Sequence, residues 1–355
     1  MRIKPAILFR VDGGRVWGVA MGHIKRSLVL AKALANQYHF IFVMKAYADG
    51  VSFVKKQGYQ VEEIPIVDDR DETLINLCEN YSPKKIIFDL FRNSYDSVFE
   101  YAREKKIQTI VFDITGKCKG IPDILINDSF VPSFVQYPHL SGKTRLYCGP
   151  KYFLLDRPSK IIPLRKAVKN VMITMGGADP ADLTVKVLSS LVGNFSRFRI
   201  HVVLGPAYVG KQRILDLATG QANVRIYENP RNLFKLISVQ DVVISAAGRT
   251  LYECAYFGRP VAVVPSIKPE SISSKEFARC TGSLDIGLWD ERKSPGKLKA
   301  AIDKYNEDYF LRKSIFQKSR HLVDGFGIKR VTRILKLSST NKTQNLNVKN
   351  KNNRP

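Results

Sequence analysis

Short apolar runs alternate with amphipathic stretches along almost the whole chain. Residues 6–11 (Ala-Ile-Leu-Phe-Arg-Val), 40–44, 85–88, 109–112 and 123–126 are dense in Val, Ile, Leu and Phe, which predicts five buried strands. The pattern restarts at 170–174, 199–204, 224–227, 242–245 and 261–264. Helical spacing fills most of the gaps. Between 27 and 34, for example, Leu28, Leu30, Ala31 and Leu34 share one face, so a helix opens at His23. Strands with little polar alternation, separated by helices, are the pattern of parallel sheets covered on both faces. The two series divide near 158–165. The expected architecture is therefore α/β, with two doubly wound, Rossmann-like domains over 1–160 and 161–337 facing across a cleft. Helices over 309–322 and 328–337 fall in the second. Residues 338–355, rich in Asn and Lys and nearly devoid of apolar positions, are expected to be a disordered tail.

In such sheets ligands bind beyond the carboxyl ends of the strands. Three glycine-bearing junctions fall there: 12–22, ending in Gly22-His23; Met175-Gly176-Gly177-Ala178-Asp179-Pro180; and Ser245-Ala246-Ala247-Gly248-Arg249-Thr250. A helix N-terminus lined by glycine offers backbone N–H groups and the positive end of a dipole to an anion such as a pyrophosphate. The same dipole, with Lys25 and Arg26 close by, disfavours a charged imidazole, so His23 is a candidate general base. A helix-capping or buried histidine is the plainer alternative. Asp12 either orients a water or is a turn residue beside Gly13 and Gly14. The glycines serve either a ligand or a tight turn, and Asp179 before Pro180 reads equally well as a helix cap. Arg10 and Arg15 could meet substrate charge, whereas Met21, Trp17 and Phe257 read as packing.

A chain of 355 residues accommodates two domains, and 45% hydrophobic with 25% charged residues is an ordinary globular balance. No stretch approaches the ~18 apolar residues of a membrane span, and no signal-peptide pattern precedes the first strand, so a cytoplasmic protein is expected. The five cysteines and five histidines are scattered without metal-ligand spacing, which predicts reduced thiols, no metal and no cofactor. The net charge of +25 accompanies no nucleic-acid-binding module. It suits anionic substrates and allows peripheral contact with the anionic inner face of a membrane.

Several of these segments resemble one family in order. Leu8-Phe9-Arg10-Val11-Asp12 followed by Gly22-His23-Ile24-Lys25-Arg26-Ser27-Leu28 is similar to the N-terminal signature of the pseudaminic-acid-pathway UDP-sugar hydrolases. Those enzymes remove UDP from a 2,4-diacetamido-2,4,6-trideoxyhexose and share the GT-B fold with spore-coat polysaccharide proteins and lipid II-forming GlcNAc transferases. Met175–Pro180 with Leu183-Thr184, Cys148-Gly149-Pro150-Lys151-Tyr152, and Ile244–Gly248 through Glu253 to Gly258-Arg259-Pro260 carry the likeness onward, in blocks from Leu8 to Glu270. The chain departs from the pattern in its longer approach to His23 over 17–22, in a single acid at Asp113, and in Asp156 near where relatives commonly have an arginine.

The resemblance implies a hydrolase that inverts at C1, with His23 activating water and Asp12 assisting. Substrate binding then falls to Gly22, Arg26, Gly176, Gly177, Ser245, Ala247 and Gly248. Glu253 would accept hydrogen bonds from ribose hydroxyls, and Glu270 with Ser271 would close over the phosphates. The alternatives are a glycosyltransferase with a lipid-linked or sugar acceptor, and a non-catalytic nucleotide-sugar-binding protein.

Overall fold

The computed structural model describes residues 4–14, 19, 21–68, 70–90, 95–131, 135–137, 140, 142, 144–156 and 160–336. Arg15, Trp17, the split at 158 and the tail over 338–355 lie outside the described residues. The first series of strands is β1 (Ala6–Val11), β2 (His39–Lys45), β3 (Gln60–Ile64), β4 (Lys85–Asp89), β5 (Gln108–Phe112), β6 (Ile124–Asn127) and β7 (Arg145–Cys148). They form one sheet in the order β3-β2-β1-β4-β5-β6-β7, parallel throughout. The helices of this half are α1 (Gly22–Leu34), α2 (Ala48–Lys55), α3 (Asp71–Tyr81) and α4 (Asp96–Glu104).

The second series is β8 (Asn170–Thr174), β9 (Arg199–Leu204), β10 (Val224–Glu228), β11 (Val242–Ser245), β12 (Val261–Val263) and β13 (Leu284–Asp285). It repeats the topology as β10-β9-β8-β11-β12-β13, again all parallel. Its helices are α5 (Leu183–Leu191), α6 (Lys211–Ala218), α7 (Leu233–Ser238), α8 (Thr250–Phe257), α9 (Glu270–Thr281), α10 (Ser294–Glu307) and α11 (Tyr309–Leu322), and α12 (Gly327–Lys336) ends the fold.

The continuous apolar runs follow from burial on both faces. In β1, Ile7, Phe9 and Val11 enter one core with Phe42 and Met44, while Leu8 enters the opposite core with Ile41, Val43 and Phe88. Phe9 lies opposite Phe42 in register, their rings stacked at 5.4 Å. Three strands escaped the apolar pattern, and all lie at or beside a sheet margin. β3 (Gln-Val-Glu-Glu-Ile) and β7 (Arg-Leu-Tyr-Cys) are only partly buried edges of the first sheet, and β13 is a two-residue edge of the second. An edge strand needs no unbroken apolar run, and charge there discourages pairing with other chains.

The halves meet over a small aromatic core. Phe130, just after β6, and Phe153, after the 3₁₀ turn Pro150–Tyr152, both pack on Tyr252 of α8. The Phe153 and Tyr252 rings stack at 4.2 Å, and the Phe130 N–H donates to the Tyr252 hydroxyl at 3.1 Å. Beyond the linker, two buried arginines fasten the chain to the second domain. Arg259 donates to the carbonyls of Ile162 and Gln240, and Arg312 to those of Arg165 and Lys166. α12 then returns to the first domain. Val331, Ile334 and Leu335 bury with Leu154 in the core beneath β1, and Arg330 donates to the Lys151 carbonyl at 2.9 Å. The apolar face of α12 thus packs on the first domain although the helix follows the second in sequence.

The return of α12 depends on Gly327, where a Cβ would collide with the Phe153 carbonyl. Gly327→Ala should lower stability by about 1–3 kcal/mol, seen as a fall in melting temperature. Gly296→Ala, in open space within α10, should be neutral or stabilising by about 0.5–1 kcal/mol in the same measurement.

Candidate functional site

Because β2 lies on one side of β1 and β4 on the other, the chain reverses its winding between β1 and β4, and again between β8 and β11. Crevices open at such switch points, beyond the strand ends. His23 occupies the first. It sits in the opening turn of α1, whose N-terminus has neither a side-chain cap nor an acidic residue in its first turn. Its Nδ1 lies 2.5 Å from Oδ1 of Asp89, the last residue of β4. A carboxylate only accepts, so Nδ1 carries the proton and the neutral ring keeps its lone pair on Nε2.

Asp89 is wholly buried and serves more than the imidazole. It accepts from Arg26 through Nε at 2.7 Å and through Nη2, and from the Ser27 hydroxyl at 3.4 Å. Arg26 Nη1 donates to Asp128 Oδ1 at 2.9 Å, and its guanidinium lies 4.8 Å from the centre of the Phe112 ring. Burial opposes every charge in this group. The Arg26 and His23 sides nonetheless hold the Asp89 carboxyl well below the usual carboxylate range, and the two aspartates hold Arg26 charged. Asp128 is also buried, and its Oδ2 has no partner among the described residues. Neither Asp89 nor Asp128 was singled out from the sequence. Asp89 closes the apolar run 85–88, and an acid at the end of a parallel strand was the available signal.

Arg26, expected to contact substrate, has its donors committed to Asp89 and Asp128 and is only 3% exposed; it acts on the site through those carboxylates. Asp12, expected to assist His23, is held instead by Arg10 at 2.6 and 2.9 Å and by the Lys45 backbone N–H at 2.8 Å. Its oxygens secure the β1 loop to the end of β2. Asp113 likewise accepts the N–H groups of Thr115, Gly116 and Cys118 and fixes its own turn.

At the second switch point, Gly176 adopts φ +84° and neither it nor Gly177 has a neighbour where a Cβ would stand, so both leave an open backbone surface. Their carbonyls face the other way, against Gly205, and Gly177 accepts the Ala207 N–H at 2.9 Å. Asp179 is a cap: its two oxygens accept the N–H groups of Leu183 and Thr184 at 2.8 Å, which fills the N-terminus of α5. Ser245 and Ala247 are buried, and Gly248 is exposed. The Glu270 carboxylate, expected over phosphates, accepts the backbone N–H groups of Ser266, Ala247 and Ile267 and ties two loops together. The Ser271 hydroxyl is buried without a partner among the described residues.

The two switch points face one another. A Cβ on Gly22 would stand 3.2 Å from Cδ of Arg249, the residue before α8, and Arg249 rests its guanidinium over the Phe153 ring at 4.3 Å. One turn along α8, Glu253 Oε2 is enclosed with no partner among the described residues. Burial pushes this carboxyl up to about 7, with Arg249 and Lys25 pulling the other way. Gly22, His23, Arg249 and Glu253 thus converge from both domains. Among the described residues no group of three or more His, Cys, Asp or Glu could hold a metal ion, and no helix is long and apolar enough to cross a membrane.

Two stability tests follow from these charges. Asp89→Asn leaves Arg26 half-compensated and should cost about 3–5 kcal/mol, read from denaturant midpoints. A raised Glu253 carboxyl favours the protonated folded state, so its contribution is intact below about pH 4.5 and is lost as pH rises through about 7. Glu253→Gln should therefore raise the melting temperature by roughly 2 °C or more at pH 8, with a smaller change at pH 5.

No family model matches the chain. Spore coat polysaccharide biosynthesis protein SpsG of Bacillus subtilis is 27% identical over 333 residues, covering 91% of this chain and 96% of that protein. Uncharacterized protein MJ1062 of Methanocaldococcus jannaschii is 31% identical over 278 residues, covering 74% of this chain and 55% of that longer protein. The UDP-2,4-diacetamido-2,4,6-trideoxy-beta-L-altropyranose hydrolase of Campylobacter jejuni is 26% identical over 257 residues, 70% of this chain and 86% of the enzyme. Among solved structures, Acinetobacter baumannii MurG superposes with a TM-score of 0.64 over 93% of this chain and 98% of its own, at 14% identity. The calicheamicin glycosyltransferase CalG4 gives 0.62 over 94% and 98%, also at 14% identity. Two parallel-sheet domains with these neighbours are the GT-B fold. The chain is thus similar in sequence to the spore-coat polysaccharide protein SpsG and to a UDP-diacetamido-trideoxy-altropyranose hydrolase, and it is built on the GT-B fold.

Proposed function

We propose that this chain hydrolyses a UDP-linked diacetamido-trideoxyhexose to free sugar and UDP, in the making of a nonulosonic acid or surface polysaccharide. The observation that carries the reading is the 2.5 Å contact between His23 Nδ1 and the buried Asp89 carboxylate, at the switch point where a substrate would lie. It leaves Nε2 as the basic nitrogen of an imidazole whose ring is held in one orientation. Water attacks C1 as Nε2 takes its proton. The C1–O bond breaks with its electron pair passing to the β-phosphate oxygen, and a single displacement inverts the anomeric centre. Developing imidazolium charge is met by Asp89, which Arg26 keeps ionised.

On the second domain, α8 has no side-chain cap, whereas Asp179 fills the start of α5. Its N-terminus and the open backbone at Gly176, Gly177 and Gly248 are where the diphosphate fits best. Glu253, whose Oε2 is enclosed without a partner among the described residues, suits the ribose hydroxyls as acceptor. Ser245, Ala247, Glu270 and Ser271 shape that surface from beneath. The names of the hydrolase relatives support this substrate class.

UDP release should be measured from UDP-2,4-diacetamido-2,4,6-trideoxyhexose without any acceptor. We expect turnover by the native chain, a loss of roughly 10²–10⁴-fold in kcat for His23→Ala, and UDP affinity unchanged in the variant. Turnover that appears only when a lipid-linked or sugar acceptor is added would assign the chain to the transferases instead. Binding without either reaction would make it a nucleotide-sugar carrier.

A further inference from the structure

Four buried arginines of this protein each engage described partners through their terminal nitrogens, and a fifth, partly buried arginine does not. Arg10 chelates Asp12, Arg26 binds Asp89 and Asp128, and Arg259 and Arg312 each donate to two carbonyls. Arg249 is only partly exposed, yet its guanidinium donates no hydrogen bond to any described residue. Its surroundings explain where those donors are left to point. The stem lies against Gly22 at the start of α1, and one face of the guanidinium is stacked over Phe153, itself fixed by stacking on Tyr252. Stacking occupies the π face and leaves the N–H groups in the plane of the fork.

The nearby carboxylates do not claim it. Asp89 and Asp128 exert an attraction on Arg249 but spend their paired oxygens on Arg26, which repels it. Glu253 attracts it without a hydrogen bond among the described residues, and Asp128 Oδ2 likewise has no partner among them. An arginine that is partly buried, held over an aromatic ring and without a hydrogen bond to any described residue presents its fork to an anion of matching geometry.

We infer that Arg249 grips the diphosphate of the bound nucleotide, reaching from the second domain to the helix start that carries His23. This rests on the nucleotide-sugar reading above. It adds a residue outside the glycine junction's backbone, and it makes Arg249 the cation that meets charge developing on the departing phosphate. Gly22 is small for the same reason: a side chain there would press on the arginine stem.

The full-length chain, Arg249→Met and Arg249→Lys should be titrated calorimetrically with UDP, uridine and inorganic pyrophosphate. Methionine keeps a stem over Gly22 and Phe153 without the charge, and lysine keeps the charge without the fork. We expect Arg249→Met to weaken UDP and pyrophosphate by roughly 10–100-fold while uridine affinity is unchanged, with lysine intermediate. UDP bound equally well by all three proteins would overturn the assignment and leave the nucleotide reading standing. Pyrophosphate binding that depends on Arg249, with neither UDP nor uridine bound, would uphold the anion role and remove the nucleotide. A uniform loss for UDP and uridine alike would show a structural role only, and no binding of any probe by the native chain would end both ideas.

Discussion

A carboxylate with no exposed surface, at the tip of the fourth strand, organises this site. Asp89 can remain ionised there only because Arg26 lies against it, and Arg26 tolerates burial only because Asp89 and Asp128 both face it. That mutual dependence sets the rotation of the first turn of α1, since Arg26 sits three residues after His23 on the same helix. The imidazole is thereby oriented by the same charge that fixes the helix. A site built on strand ends and a helix start is held more firmly than one built on loops alone, which suits a group whose task depends on sub-ångström placement.

The second domain contributes differently. Where the first presents an imidazole in a tight ionic lattice, the second presents exposed backbone at Gly176, Gly177 and Gly248, the Arg249 guanidinium without a hydrogen bond to any described residue, and Glu253 Oε2 without a partner among them. Charged pairs dominate the first half of the site, and open backbone dominates the second. The aromatic contact of Phe130 and Phe153 on Tyr252 joins the two halves beside this site.

Most of the fold was legible because the interior strands are buried on both faces. β1, β8, β9 and β11 fall where their apolar runs do, and α11 spans the expected 309–322. Strands that face water on one side, such as β3 with its two glutamates, carry no such run and were invisible. His23 was legible from its place at a glycine-rich helix start. Its partner was not, because the pairing of β1 with β4 is a long-range choice that no local pattern records. Charged residues near glycine loops often face substrate, and Asp12, Arg26 and Glu270 carry that signal. In each case an internal partner, Arg10, Asp89 or a row of backbone N–H groups, had the stronger claim.

The crossing of α12 back to the first domain has a consequence for synthesis. The core beneath β1 includes Val331, Ile334 and Leu335, which emerge from the ribosome after the entire second domain. Domains tend to fold as units in the order they are made. Here the half made first must wait with an uncovered apolar groove while more than half of the chain is still to be translated. The half that begins earliest is thus the last to be completed, and its unfinished face is what a chaperone would meet.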